Sequence, residues 1–200
     1  TPAAILKLCE SIAKSTRQIH EVNPKESENQ VRILKVATDC SGIDSPIAAL
    51  QKLNVSYEHV WSCDTDKHCK KIILDNHSPQ FFFDDLLDED SRKKSFPSEG
   101  QLDLYVVGVP CIPYSVCALH TRKQSKKKLE YNTVLFDAVF NTIRTTKPKV
   151  LILENVPGLM NQPDFLRIMV LLKEWEYEIH YSFLNSIDYG IPHRRKRLYI

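Results

Sequence analysis

The chain has 200 residues, 42% of them hydrophobic, which is long enough for one packed domain and short for two. Its 27 Lys and Arg nearly balance 25 Asp and Glu, giving a net charge of +2. The overall charge therefore does not indicate a nucleic-acid binder, and any basic surface must be local. No stretch approaches the roughly 20 consecutive apolar residues that cross a bilayer, so we expect no membrane partner.

The six cysteines are spread along the chain without CxxC pairs or zinc-like spacing, so we expect no metal site. No apolar signal segment is present. We therefore expect an intracellular protein with reduced thiols, in the nucleus if the host is eukaryotic and in the cytoplasm if it is prokaryotic or a phage. The chain begins at Thr1 and stops in LYI, inside an expected strand, so we expect a fragment.

Residues 1–30 combine a moderately amphipathic helix, with Ile5, Leu8 and Ile12 on one face, and the polar stretch HEVNPKESENQ, which is typical of a linker. From Val31 onward, short β-branched or aromatic runs alternate with segments of helical length. We therefore divide the chain into a helix and linker over 1–30 and an α/β domain over 31–200.

The α/β domain has a regular order of predicted elements. The predicted strands are VRILKVA, YEHVWSC, LDLYVV, VLILE, YEIHYSFLN and RLYI, with the short run FFF after the second. The predicted helices are SPIAALQKL, DKHCKKIILDN, TVLFDAVFNTIRTT and PDFLRIMVLLKEW. Strands separated by helices, several of them apolar on both faces, indicate a Rossmann-like fold: a mainly parallel sheet with helices on both faces. Ligands of such sheets bind beyond the carboxyl ends of the strands.

Polar or glycine-containing turns follow the first three strands. Gly42 in DCSGIDS lets backbone approach a ligand closely, although an ordinary strand-to-helix turn explains it equally. Asp64 could accept both hydroxyls of a ribose, or could cap the helix after it. Asp84 and Asp85 could cap a helix or bind the amino group of an adenine. Three such positions in succession favour an adenosine-containing cofactor.

A cysteine between prolines follows the LDLYVV strand, in GVPCIPYS. Because Pro110 and Pro113 have fixed φ angles, the turn presents Cys111 in one orientation at the same edge of the sheet. A thiol is a useful nucleophile only as the thiolate, which nearby N–H groups or a cation favour. Free cysteines are more commonly buried as small apolar residues. We assign that ordinary role to Cys40, Cys63, Cys69 and Cys117.

Charged residues also flank the last strands. Glu154 and Asn155 end the strand in LILENVPGL, where they either point into the same crevice or, for the carboxylate, cap a neighbouring helix. A basic run lies at the entrance to the final strand, and its ordinary interpretation is a solvated edge. The run comprises Arg194, Arg195, Lys196 and Arg197.

These motifs together resemble those of the cytosine-5 DNA methyltransferases. The resemblance runs from about Ile33 to Ile200 and rests on DCSGIDS, WSCDTDK, GVPCIPYS, LILENVPGL and NSIDYGIPHRRKRLYI, in this order and spacing. It implies a partial catalytic domain with the Rossmann-like fold of methyltransferases that depend on S-adenosyl-L-methionine. It also implies that the chain stops before the target-recognition domain, so the fragment by itself is expected to be inactive.

The resemblance implies methyl transfer from S-adenosyl-L-methionine to C5 of a flipped-out cytosine. Cys111 would add to C6 of the base, and Glu154 would hold and protonate N3. Arg195 and Arg197 would position the base and its backbone. The implied base-contacting residues are Ser115, Asn155 and Val156. The implied cofactor-binding residues are Ser41, Gly42, Ile43, Asp64 (ribose), Asp85 or, with a shift of one residue, Asp84 (adenine), Leu86 and Pro110.

The expected partner is duplex DNA. A stacked base cannot meet a nucleophile at C6, so it must rotate out by about 180°. The polar segment HTRKQSKKKLEYN, which follows the nucleophile, is positioned to fold over DNA and meet phosphates. Two alternatives remain: a cytosine-5 enzyme acting on transfer RNA, and an inactive paralogue that binds nucleic acid or proteins. The joint presence of Cys111, Glu154, Arg195 and Arg197 argues against the inactive paralogue.

Asp44 stands where the family often has glycine. We expect its carboxylate to face the methionine carboxylate of the cofactor and repel it, so that Asp44→Gly would tighten cofactor binding. The alternative is that Asp44 turns outward and caps the helix beginning near Ser45.

Overall fold

The computed structural model describes residues 33–110 and 126–200. Its strands are β1 (Leu34–Asp39), β2 (Tyr57–Cys63), β3 (Phe81–Phe83), β4 (Leu104–Val107), β5 (Val150–Asn155), β6 (Ser182–Asn185) and β7 (Lys196–Tyr199). Its α-helices are α1 (Ser45–Lys52), α2 (Lys67–Asn76), α3 (Glu89–Lys93), α4 (Lys126–Thr146) and α5 (Pro163–Glu174). Short 3-10 turns cover Pro157–Asn161 and Ser186–Tyr189. The predicted N-terminal helix and linker lie outside the described residues.

The seven strands form one sheet in the order β3-β2-β1-β4-β5-β7-β6. The pairs from β3 through β5 are parallel, whereas β7 runs antiparallel to β5 with Glu154 opposite Tyr199. The predicted mainly parallel, Rossmann-like sheet is confirmed. The chain runs from β1 outward to β3 and then returns to β4 on the other side of β1. This reversal places a crevice at the carboxyl ends of β1 and β4, where ligands of such sheets bind.

Helix starts follow local capping chemistry. In α2, the Asp66 side chain accepts hydrogen bonds from the backbone N–H groups of His68 at 2.7 Å and Cys69 at 3.3 Å. These bonds hold the pKa of Asp66 below its usual value. Proline lies in the first turn of α1 and of α5, where its missing N–H has no intrahelical partner to lose.

The core lies between the sheet and the apolar faces of its helices. Trp61 of β2 and Tyr105 of β4 are fully buried, and Trp61 stacks on Phe96 with 4.9 Å between ring centroids. In α5, Ile168 and Leu172 are buried one turn apart, as the 3.6-residue period of a helix requires. Burial of each such large side chain contributes about 1.5–3 kcal/mol.

Contacts within the described residues define two compact units. The larger comprises Ile33–Phe183 and Arg197–Ile200, and the smaller comprises Leu184–Lys196. In the smaller unit, the Ser186 hydroxyl donates to the carbonyl of His193 and accepts from the backbone N–H of Arg195 at 3.2 Å. This serine therefore orders the backbone of the basic run.

The predicted boundaries of three elements differ clearly from those of the structure. β1 ends two residues later than VRILKVA does, at Asp39. The strand predicted over YEIHYSFLN is confined to Ser182–Asn185, and the Tyr177 hydroxyl instead donates to the Pro148 carbonyl at 2.7 Å. The helix predicted from Thr133 begins at Lys126, so the second half of HTRKQSKKKLEYN is helical rather than a loop.

Candidate active site

The ends of β1, β4 and β5 meet at one crevice. The backbone N–H of Gly108, just after β4, donates to the carbonyl of Asp39 at 3.3 Å. A Cβ placed on Gly108 would lie 3.5 Å from Oε2 of Glu154 and 3.8 Å from the carbonyl oxygen of Cys40. The turn that leads to Cys111, the glutamate next to the end of β5 and the turn after β1 are therefore adjacent. The sequence predicted this meeting of motifs from strand ends alone.

Glu154 is paired with an arginine of the predicted RxR pattern. Its Oε1 lies 3.1 Å from Nε of Arg197. The Glu154 side chain is 25% exposed and the Arg197 side chain is 20% exposed. The pair forms because β7 runs antiparallel to β5, which sets Arg197 beside the polar end of β5. Partial exposure leaves both groups accessible to solvent at this edge of the sheet.

Asn155, the next residue of β5, holds the backbone before Cys111. Its Nδ2 donates to the Val109 carbonyl at 3.0 Å, and its Oδ1 accepts from the Val156 N–H at 2.9 Å. Both Asn155 and Val156 are buried. The predicted contact of these two residues with a base is a separate role that stays a prediction. Cys111 and Ser115 lie outside the described residues.

The turn after β1 leaves space for a ligand beside Gly42. This glycine has a φ of +57°, in the left-handed region, and no heavy atom lies within 4 Å of where its Cβ would be. Its N–H donates to Oδ2 of Asp64 at 2.8 Å. The Ser41 hydroxyl lies 3.1 Å from both the carbonyl and the N–H of Cys63, which ties this turn to the end of β2. Ile43 is exposed.

Asp64 does not cap α2, because Asp66 occupies the capping position. The alternative helix-cap role of Asp64 is therefore wrong. Its Oδ1 accepts instead from the N–H of Asp66 at 2.9 Å, so the carboxylate bridges the turns after β1 and β2. The ribose role stays a prediction.

The two carboxylates after β3 differ in their contacts. Asp84 forms an exposed ion pair with Nζ of Lys70 at 2.7 Å. Oδ1 of Asp85 accepts from the Leu87 N–H at 2.9 Å, which orders the turn. The Leu86 side chain is buried in the core, and its carbonyl accepts a hydrogen bond from Arg92 at 2.9 Å. Its predicted contact with the cofactor stays a prediction. The assignment of Asp85 rather than Asp84 to adenine stays a prediction.

A buried ion pair that the sequence analysis missed lies beneath this edge. Arg92 of α3 is fully buried and pairs with Asp39, the last residue of β1. It also donates to the carbonyl of Leu86 at 2.9 Å, and the Asp39 carboxylate accepts from Trp61 and Tyr105. Burial raises the pKa of Asp39, and the Arg92 guanidinium opposes that rise. Because Arg92 stands in the charged run DEDSRKK, the sequence indicates a solvated residue.

The expectation for Asp44 was wrong in both of its forms. The side chain is fully buried, with Oδ1 2.9 Å from the Thr38 hydroxyl and Oδ2 2.5 Å from that of Ser62. Oδ2 also lies 3.4 Å from Nε2 of His59, whose pKa burial lowers to about 4, so the imidazole is neutral near pH 7. Asp44 precedes α1 but makes no side-chain capping bond. Burial raises the pKa of Asp44, and the two hydroxyl donors oppose that rise.

We therefore expect Asp44→Gly to lower thermal stability and leave the affinity for S-adenosylmethionine within about twofold. Two hydrogen bonds to a buried carboxylate, at about 1.5–3 kcal/mol each, are lost. Relief of the left-handed φ of 61° regains only about 1–2 kcal/mol. The measurements are thermal melting and calorimetric titration of the cofactor.

Asn54→Gly is the matched control, because Asn54 has a φ of 51° and is exposed. It should be neutral or slightly stabilising. Tighter cofactor binding by Asp44→Gly at unchanged stability would contradict the buried network and restore the repulsion argument.

The cysteines in the described part of the chain are poorly suited to be nucleophiles. Burial raises the pKa of the thiols of Cys40, Cys63 and Cys69, and the Asp39 carboxylate adds to the effect at the first two. Cys63 is fully buried, as its ordinary role predicts, whereas Cys40 and Cys69 are half-buried. At neutral pH these three remain thiols.

A mainly parallel sheet with a polar crevice at its strand ends is the architecture of Rossmann-like methyltransferases that depend on S-adenosylmethionine. Residues 35–200 match the family described as C-5 cytosine-specific DNA methylase. The chain belongs to this family, as its motifs predicted.

Similar proteins from a fungus and a phage are also named as methyltransferases. The chain is 27% identical over 186 residues to the DNA (cytosine-5-)-methyltransferase DMT5 of Cryptococcus neoformans, covering 84% of this chain and 8% of that protein. It is 33% identical over 172 residues to the orphan methyltransferase M.SPRI of Bacillus phage SPR, covering 84% and 37%. The structure of S. pombe Dnmt2 methyltransferase resembles the fold with a TM-score of 0.63 at 18% identity, covering 83% and 47%. The chain thus spans less than half the length of each of these proteins.

The described residues contain neither a candidate metal centre nor a candidate membrane span. No group of three or more His, Cys, Asp or Glu side chains there is arranged to hold a metal ion. Within the same part of the chain, every helix is too short or too polar to cross a membrane.

Proposed function

We propose that the full-length protein transfers a methyl group from S-adenosylmethionine to C5 of cytosine in duplex DNA. The observation that carries the proposal is the crevice where Glu154 meets both Arg197 and the Gly108 turn that leads to Cys111. A carboxylate and a guanidinium at one strand end, with a candidate thiolate three residues after Gly108 in the sequence, would supply the groups that addition to a pyrimidine needs.

The residues at the neighbouring edge fit the cofactor. Open space beside Gly42 lets a ligand approach the backbone, and Asp64 stands at the same edge with its carboxylate anchored by two N–H groups. Carboxylate oxygens of Asp64 are suited to ribose hydroxyls. Gly42 and Asp64 would therefore hold the cofactor, with Asp85 beyond them toward the adenine. When bound, S-adenosylmethionine supplies an electrophilic methyl group.

The protein's own groups would carry the covalent chemistry. The Cys111 thiolate attacks C6 of the base, forming an S–C6 bond and moving electron density to C5. Glu154 donates a proton at N3, which neutralises the charge created by the addition. C5 would then take the methyl group, with S-adenosylhomocysteine as the leaving group, and N3 would return its proton to Glu154. Transfer of the C5 proton to solvent water would break the S–C6 bond and restore the thiolate. Arg197 and Arg195 would hold the base and its phosphate in place.

Duplex DNA is the proposed substrate because a relative that matches 84% of this chain is named a DNA (cytosine-5-)-methyltransferase, and the family is described as a DNA methylase. In duplex DNA the target cytosine is stacked and paired, so it must rotate out of the helix before C6 can be attacked. Transfer RNA is the alternative substrate, since a cytosine in an RNA loop would undergo the same addition.

The test is methyl transfer by the full-length protein from radiolabelled S-adenosylmethionine to duplex DNA and, separately, to transfer RNA. We expect labelled 5-methylcytosine in the DNA and none above background in the RNA. A duplex in which 5-methylcytosine replaces every cytosine is the matched control and should take up no label. Labelled RNA with unlabelled DNA would overturn the substrate, and label in neither would overturn the activity.

A further inference from the structure

Two buried asparagines hold consecutive carbonyls just before Cys111. Nδ2 of Asn155, at the end of β5, donates to the Val109 carbonyl at 3.0 Å. Nδ2 of Asn132, on α4, donates to the Pro110 carbonyl at 2.7 Å. The residues Asn132 and Asn155 are only 2% and 4% exposed. Side chains from two separate elements therefore act on adjacent peptide groups.

These hydrogen bonds determine how the chain enters Cys111. The Val109 carbonyl lies in the peptide plane that contains the nitrogen of Pro110, and the Pro110 carbonyl lies in the plane that contains the nitrogen of Cys111. The proline ring fixes φ at Pro110, which leaves the ψ angles of Val109 and Pro110 as the free rotations. Asn155 restrains the first rotation and Asn132 restrains the second. The two amides therefore restrain the Val109 and Pro110 carbonyls, the last two before Cys111 in the sequence.

Asn132 is an unusual residue for its place in a helix. Asparagine is a poorer helix former than alanine, and a buried amide is costly unless it is hydrogen-bonded. Its donor reaches a carbonyl 22 positions earlier in the chain rather than a neighbour in α4. Asn141, nine residues further along α4, contrasts with it: its Nδ2 donates to Oε1 of Glu89 at 2.9 Å, on α3. Both asparagines donate a side-chain hydrogen bond to a distant residue, but only Asn132 donates to the turn before Cys111.

We propose that Asn132 is a positioning residue of the methyltransferase, which holds the Pro110–Cys111 peptide plane so that the thiolate meets C6 of the target base. This inference rests on the proposed function. Asn132 is buried, so it would act through the backbone of the turn and not by contact with the base or the cofactor. Its partner Asn155 stands next to Glu154, so one strand end aligns the proton donor while the two amides align the nucleophile.

The test compares Asn132→Ala and Asn132→Asp with Asn141→Ala in the full-length protein. The aspartate keeps the shape of the side chain but removes its hydrogen-bond donor. The readouts are the single-turnover rate of covalent adduct formation on duplex DNA containing 5-fluorocytosine, steady-state kcat and KM, and the melting temperature. Rates are normalised to the sites that bind S-adenosylhomocysteine, so partial unfolding does not enter them.

We expect both Asn132 variants to form the adduct about 10²-fold more slowly, with KM for DNA within about threefold, because a displacement near 1 Å costs about that much. Asn141→Ala should react at the wild-type rate with a similar change in melting temperature. Equal normalised rates for Asn132→Ala and Asn141→Ala would overturn the positioning role alone. Absence of any adduct with the wild-type protein would overturn both this role and the proposed function.

Discussion

Cys111→Ser in the full-length protein is expected to abolish methyl transfer and covalent trapping on duplex DNA containing 5-fluorocytosine. A serine hydroxyl is a far weaker nucleophile than a thiolate at neutral pH, so the loss should be on the order of 10⁴-fold or more. DNA binding should persist, because phosphate contacts do not depend on the thiol. The measurements are adduct formation on denaturing gels and DNA affinity at a fixed salt concentration.

Cys69→Ser is the matched control for this experiment. Cys69 is a half-buried cysteine of α2, and burial raises its pKa, so its thiol has no expected part in the chemistry. The control should retain wild-type trapping. If Cys111→Ser still forms the adduct at the wild-type rate, Cys111 is not the nucleophile.

Glu154→Gln is expected to lower kcat by about 10²–10⁴-fold while leaving KM for DNA within a few fold. The glutamine keeps the size of the side chain and can still contact Arg197, but it cannot transfer a proton to N3 of the base. Because the adduct then carries uncompensated negative charge, the addition step itself should slow. Single-turnover methyl transfer and the rate of adduct formation with 5-fluorocytosine DNA measure the two effects.

Asp137→Asn is the matched control for Glu154→Gln. Asp137 of α4 also pairs with an arginine, Arg167 of α5, but that pair is half-exposed and joins two helices. Removal of its charge should leave kcat unchanged and cost at most about 1 kcal/mol of stability. A kcat for Glu154→Gln close to that of Asp137→Asn would show that the carboxylate of Glu154 is not the proton donor.

The pairing of Glu154 with Arg197 shows how strand direction places groups from distant motifs together. The two residues are far apart in the sequence, yet their side chains lie 3.1 Å apart across the β5–β7 pair. An antiparallel neighbour brings the start of β7 to the end of β5, which is the functional edge of the sheet. A parallel β7 would have placed the same arginine at the opposite edge.

The order of the motifs and the kind of fold could be predicted from the sequence. Apolar runs of strand length between helical segments require a covered parallel sheet, and turn residues after each run mark its functional edge. The positions of Gly42, Asp64 and Glu154 at that edge followed from this pattern. Local rules were sufficient there, because alternation, capping and turn chemistry act over a few neighbouring residues.

Only the tertiary structure decided which polar side chains are buried and which residues are their hydrogen-bond or ion-pair partners. Asp44 was expected at a cofactor or at a helix cap, but Thr38 and Ser62 draw it into the interior. Arg92, within a run of charges, pairs with Asp39, and Asn132 reaches Pro110 from the helix that follows. Each partner lies between 6 and 53 positions away in the sequence. Periodicity records the apolar face of an element, whereas the partner of a buried polar group depends on how distant elements pack.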